Sequence, residues 1–133
     1  MNDTLFIEID KFDAWAKSHY NVPRDDIGGE WECDYTDWDK IYTAFKNFLA
    51  KATPNNWTDK EKEQLLYIIA RDNESEYLSD QLNETALITL TKQAIASGHR
   101  DDKWQLAIQL YKLSDQALAI TFLEAFVTTK MNM

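Results

Sequence analysis

The chain has 133 residues, a formal net charge of −9 and a sequence pI near 4.6. At 44% hydrophobic and 13% aromatic it is too apolar for intrinsic disorder, and it is long enough for one cored domain spanning residues 1–133. The acidity argues against direct binding to nucleic-acid phosphates, which needs clustered Lys and Arg, and against docking on anionic membrane.

The elements predicted from hydrophobic spacing are all helical. Leu5, Ile9, Phe12 and Ala16 form one stripe of a first helix over about Thr4 to Tyr20, which Pro23 stops. Residues 21–35 read as a loop with Gly28-Gly29 inside it. A second helix opens at Thr36 or Asp37, carries Trp38, Ile41, Phe45 and Phe48, and ends at Pro54-Asn55-Asn56. Thr58 and Glu61 have the spacing of a capping box for a third helix bearing Leu65, Leu66, Ile68 and Ile69.

A short helix over about Glu74 to Leu82 follows, and then one over about Glu84 to Ser97, with Leu87, Leu90 and Ala94 on one face and Gly98 as its stop. Trp104, Ala107, Ile108 and Tyr111 mark the apolar face of the next helix. Ser114 or Asp115 caps the last, whose expected apolar face takes Leu118, Phe122 and Ala125 with Ala119, Ile120, Phe126 and Val127. Three Gly and two Pro over the whole chain favour long helices over a many-turned β fold. The fold class expected is all-α, built of antiparallel helical hairpins joined by short loops. The last three segments have the helix–turn–helix rhythm of a HEAT-like short solenoid.

One window stands apart from the helices. Residues 25–39, DDIGGEWECDYTDWD, hold Asp25, Asp26, Glu30, Glu32, Asp34, Asp37 and Asp39 and no Lys or Arg, so the window carries −7 of the net charge. Residues 85–133 hold four acids and five bases. Such segregation is what a face for a basic protein partner looks like: the field steers the partner in, and aromatics then anchor it. Trp31 and Tyr35 are the aromatics inside the loop part of the window. They either wait for a partner or pin the loop to the body. The candidate partner-binding set is Asp25, Asp26, Glu30, Trp31, Glu32, Asp34, Tyr35, Asp37 and Asp39.

Signals for chemistry are sparse. His19 and His99 have no His or Cys at metal-ligand spacing, and the single Cys33 has no local nucleophile motif around it. No phosphate-cradling or dinucleotide-binding glycine pattern is present. Asp72, Glu74, Glu76 and Asp80 bring carboxylates together, but RDNESEYLSD lacks the interior Gly of an EF-hand loop. The alternative for these acids is a helix start, with Arg71 placed to pair with one of them. No enzyme activity, cofactor or metal is expected. One Cys and an acidic N-terminus without a signal-peptide pattern suggest a cytoplasmic protein, and no apolar run approaches the roughly 20 residues that span a bilayer.

The runs WECDYTDW (31–38), LLYIIARDNESEYLSDQL (65–82) and KWQLAIQLYKL (103–113) resemble a family of small bacterial HEAT-repeat-like proteins, some of which are immunity or partner-binding proteins. The resemblance covers roughly residues 30 to 127. It implies protein binding and brings no catalytic residues. Together with the charge layout it leads to an expected inhibitor of a basic protein, such as a nuclease-type toxin. The alternative is a HEAT-like adaptor or scaffold that inhibits nothing.

Overall fold

A computed structural model of the chain describes residues 4–19, 35–72, 77–97 and 104–130. Among these residues every regular element is a helix, so the chain is all-α. In order they are α1 (Thr4–His19), α2 (Trp38–Lys51), a 3₁₀ turn (Pro54–Asn56), α3 (Asp59–Arg71), α4 (Tyr77–Asp80), α5 (Glu84–Ser97), α6 (Trp104–Gln109) running into a second 3₁₀ turn (Leu110–Lys112), and α7 (Gln116–Lys130).

The helix starts are chemical. At α3 the backbone N–H of Glu61 donates to Thr58 Oγ1 at 3.1 Å, and the Glu61 carboxylate accepts from the Thr58 N–H at 2.8 Å, closing the expected capping box. Asn83 Oδ1 accepts from the Ala86 N–H at 2.8 Å to open α5, and Asp115 Oδ1 accepts from the Leu118 N–H at 3.0 Å to open α7. Ser114 is used elsewhere: its hydroxyl and its N–H both donate to Glu84 at the start of α5. That joint ties the chain before α7 to the beginning of α5, and its hydrogen bonds hold the Glu84 carboxyl below the usual carboxylate range.

Packing follows the stripes on the first five helices. Leu5, Ile9, Phe12 and Ala16 of α1, Trp38, Ile41, Phe45 and Phe48 of α2, Leu65, Leu66, Ile68 and Ile69 of α3, and Leu87, Leu90 and Ala94 of α5 are all buried. They belong to one apolar cluster that runs from Leu5 to Phe126. Each fully buried large side chain there stabilises the fold by about 1.5–3 kcal/mol relative to exposure. Phe6 meets Phe48 at 5.1 Å between ring centroids and Phe12 meets Trp38 at 5.2 Å, so α1 and α2 run antiparallel. Gln64 donates to Asp10 and Tyr67 to Asp13, at 3.2 and 2.9 Å, so α3 runs parallel to α1. α3 packs in turn on α5, and α5 on α6 and α7.

A buried polar joint links these layers. Asp72, just past α3, is fully buried and accepts from the Tyr42 hydroxyl and the Leu78 N–H, both at 2.8 Å. Arg71 is buried beside it with its guanidinium 5.0 Å from the Tyr67 ring centroid. Gln105 of α6 donates to the Ile69 carbonyl at 2.6 Å and accepts from the Ser79 hydroxyl at 3.0 Å. The end of α3 is thereby tied to α2, α4 and α6: the Ile69 carbonyl accepts from Gln105, and the Asp72 carboxylate from Tyr42 and Leu78.

Two faces differ from the sequence expectation. In α6 the buried residues are Gln105, Leu106 and Gln109, continued by Leu110 and Leu113, while Ile108 and Tyr111 are exposed. The helix is rotated away from its most apolar stripe because Gln105 is needed at Ile69 and Ser79. In α7 the buried set is Ala119, Phe122 and Phe126 with Leu118 and Ala125 partly covered, and Ile120 and Val127 face outward. One neighbouring layer covers an arc of only about 100° of a helix, and α7 carries apolar side chains around more of its circumference than that.

Candidate functional site

Of the expected partner-binding set, Asp25, Asp26, Glu30, Trp31, Glu32 and Asp34 lie outside the described residues. Tyr35, Asp37 and Asp39 are described, and they show how the C-terminal end of the acidic window joins the body.

Tyr35 is only 8% exposed. Its ring stands edge-on to Phe12 at 5.0 Å, tilted against Trp15 at 5.1 Å and edge-on to Trp38 at 6.0 Å. Aromatic pairs in these geometries add to the area they bury. Tyr35 is therefore a pin and not an exposed anchor, and it fixes the point from which the acidic window departs to the junction of α1 and α2. The sequence signal for this was the aromatic spacing of Phe12, Trp15 and Trp38, which makes α1 and α2 a ready socket for a fourth ring.

Carboxylates crowd the same corner. Burial, then the charges of Asp37 and Glu8, push the Tyr35 phenol above its ordinary value of 10.0. Glu8 is itself buried, with one oxygen accepting from Lys11 at 3.3 Å. Asp37 precedes α2 but makes no side-chain cap; its carboxylate turns to Lys40 at 3.9 Å. Asp39 is exposed in the first turn of α2, where the helix dipole favours it. Three acids of α1–α3 meet a lysine one turn away: Glu8 with Lys11 at 3.3 Å, Asp13 with Lys17 at 2.9 Å and Asp59 with Lys62 at 3.7 Å. Residues 25–34 hold five acids and no Lys or Arg.

Asp72 and Asp80 do not form a cation site. Asp72 is consumed by Tyr42 and Leu78, and Asp80 pairs with Lys112 at 3.2 Å, while Glu74 and Glu76 lie outside the described residues. No group of three potential metal ligands occurs among the described residues. A surface groove of about 400 Å³ runs between the 3₁₀ turn at Pro54-Asn55 and the α3 and α5 residues Lys62, Thr89 and Lys92. Its two lysines give it the wrong sign for a basic partner.

The structure also exposes residues that sequence reading placed inside. Ile120 and Val127 of α7 are open to solvent, as are Ile108 and Tyr111, and so is Leu123, which lay outside the expected apolar face. Nine of the twelve residues from Gln116 to Val127 are apolar, more than one buried face holds, and that count is the signal that could have found them. No helix among the described residues is long and apolar enough to cross a membrane.

No family model, curated protein or solved structure matches this chain.

Proposed function

We propose that this chain is an immunity-type inhibitor that binds and neutralises a basic protein, with the acidic window at residues 25–39 as its contact segment. The observation that carries this reading is the charge layout: −7 within fifteen residues, set against a C-terminal stretch with four acids and five bases. The pinning of Tyr35 supports it, because a segment anchored at a rigid aromatic corner presents its charges with less ordering cost than a free tail. A nuclease-type toxin is the partner chemistry that fits best. Such an enzyme is cationic where it holds phosphates, so an acidic protein that covers that surface competes with the substrate.

A second reading, a HEAT-like adaptor, is favoured by two observations. An antiparallel pair followed by a helix parallel to its first member is the arrangement of stacked helix pairs, and α7 exposes an apolar stripe of the kind adaptors use.

A pull-down from the native host followed by Glu30→Lys/Glu32→Lys/Asp34→Lys in the same assay separates them. The inhibitor reading expects a basic protein in the wild-type eluate. It expects the triple variant to keep its helicity and lose at least about 3 kcal/mol of affinity, with loss of protection when the partner is co-expressed. Undiminished binding by the folded triple variant removes the acidic window from the interface and leaves the adaptor reading.

A further inference from the structure

The outward face of α7 is an organised seam. Ile120 is 58% exposed, Leu123 41% and Val127 62%, while Ala119, Phe122 and Phe126 are buried on the adjacent side. The exposed residues follow one another at spacings of three and four, and Gln116 extends the row by four toward the N-terminus. This is the a/d register of a two-stranded coiled coil, with β-branched Ile120 and Val127 at the a positions and Leu123 at d. Scattered exposed hydrophobics need no explanation, but a row in this register fits another helix. Tyr111, 71% exposed, stands at the N-terminal end of the row, where the Gln116 amide donates to its carbonyl at 3.5 Å.

We propose that this seam pairs with the same seam of a second copy of the chain, α7 against α7, to form a weak dimer. Three observations favour a second copy as occupant. The a/d choice is the one that selects two strands, and the two strands of a homodimer are identical. Charge points the same way: each copy carries −9, made of −10 before residue 85 and +1 after it, and α7 from Gln116 to Val127 has Glu124 as its single charged residue. It is a surface on which two such molecules approach without facing acids against acids. Area sets the strength. The three α7 side chains with Tyr111 remove on the order of 1,000 Å² of total surface when two copies meet, which is the low end for a specific interface.

The pairing is opposed by the net charge of the two copies, so added salt strengthens it, opposite to its effect on capture of a basic partner. It is independent of the proposed inhibitor role.

Sedimentation velocity tests it on the full chain, between about 10 and 500 µM, at low and high salt. Wild type is expected to shift toward twice the monomer mass with concentration, and further at high salt. Leu123→Lys is expected to stay monomeric throughout with unchanged helicity, and Val127→Lys, at the more exposed position, to do the same. Thr121→Lys, exposed but off the row, is expected to behave as wild type. A wild type that remains monomeric at the highest concentration and salt overturns the proposal. So does dimerisation of Leu123→Lys and Val127→Lys at wild-type strength. A monomer in which Leu123→Lys abolishes capture of the basic partner also overturns it and assigns the seam to that partner.

Discussion

The two ends of this molecule solve opposite problems. Residues 1–84 hold nineteen acids against nine bases, yet their helices bury their apolar stripes almost completely. Residues 85–133 are nearly neutral and leave Ile108, Tyr111, Ile120, Leu123 and Val127 in solvent. The contrast teaches that, Ile7 of α1 apart, the large exposed apolar side chains among the described residues gather in the near-neutral region. A charged region keeps its rings inside, where they hold the corner from which the acidic window leaves. A neutral region can afford an apolar surface because little repulsion keeps another protein from reaching it.

The comparison breaks first at the cores. Phe12 lies at the centre of the aromatic corner, against Trp15, Tyr35, Trp38 and Tyr67. Phe12→Ala is expected to cost about 4 kcal/mol in urea unfolding, while Leu123→Ala, on the outward seam of α7, costs less than about 1 kcal/mol. Equal losses at the two positions would mean that α7 buries its outer face within the same chain.

The buried polar joint within the acidic region comes next. Asp72→Ala removes the oxygen that accepts from the half-buried Tyr42 hydroxyl and the one that accepts from the buried Leu78 N–H, and is expected to cost about 3 kcal/mol. Asp72→Asn keeps one carbonyl oxygen and should recover about half of that loss. A loss below about 1 kcal/mol for Asp72→Ala would show that α2, α3 and α4 are held to one another by apolar contact alone.

The smallest effect lies in pH. The Tyr35 phenol is raised in the folded state, first by burial and then by Asp37 and Glu8. A raised pKa means that the contribution is fully present below the unfolded value and is lost as pH rises past it toward the folded value. Wild type should therefore lose stability above about pH 10, and Tyr35→Phe should lose less over the same range while matching wild type at pH 7. Urea midpoints at pH 8, 10 and 11 check this; parallel curves for the two proteins would remove Tyr35 as a buried phenol.

Much of the fold is legible in the sequence, and the reason differs by element. The stripes of α1, α2, α3 and α5 sit where their spacing puts them because each has one dominant apolar face, which its neighbours cover. The capping box at Thr58 and Glu61 is local chemistry and needs nothing from the rest of the chain. In α6 and α7 apolar residues occur on more than one face, so periodicity alone does not choose: the α7 face takes in the exposed Ile120 and Val127 beside the buried Ala119, Phe122 and Phe126. In α6 the choice is made by Gln105, whose bonds to Ile69 and Ser79 are tertiary and invisible in a helical wheel. In the candidate site, the concentration of acids is plain in the sequence, and so is a set of aromatics suited to pinning. Which aromatic does the pinning is not, since the burial of Tyr35 depends on how α1 lies against α2.

The central claim is that the acidic window draws in a basic partner by charge. The most direct measurement is the association rate with the captured partner over salt from about 20 to 500 mM, for wild type and for Glu30→Lys/Glu32→Lys/Asp34→Lys. The account predicts a wild-type rate that falls steeply, by ten-fold or more in order of magnitude, toward the slow and nearly salt-independent rate of the triple variant. A wild-type rate that does not change with salt, or a triple variant that matches it at low salt, would contradict the claim.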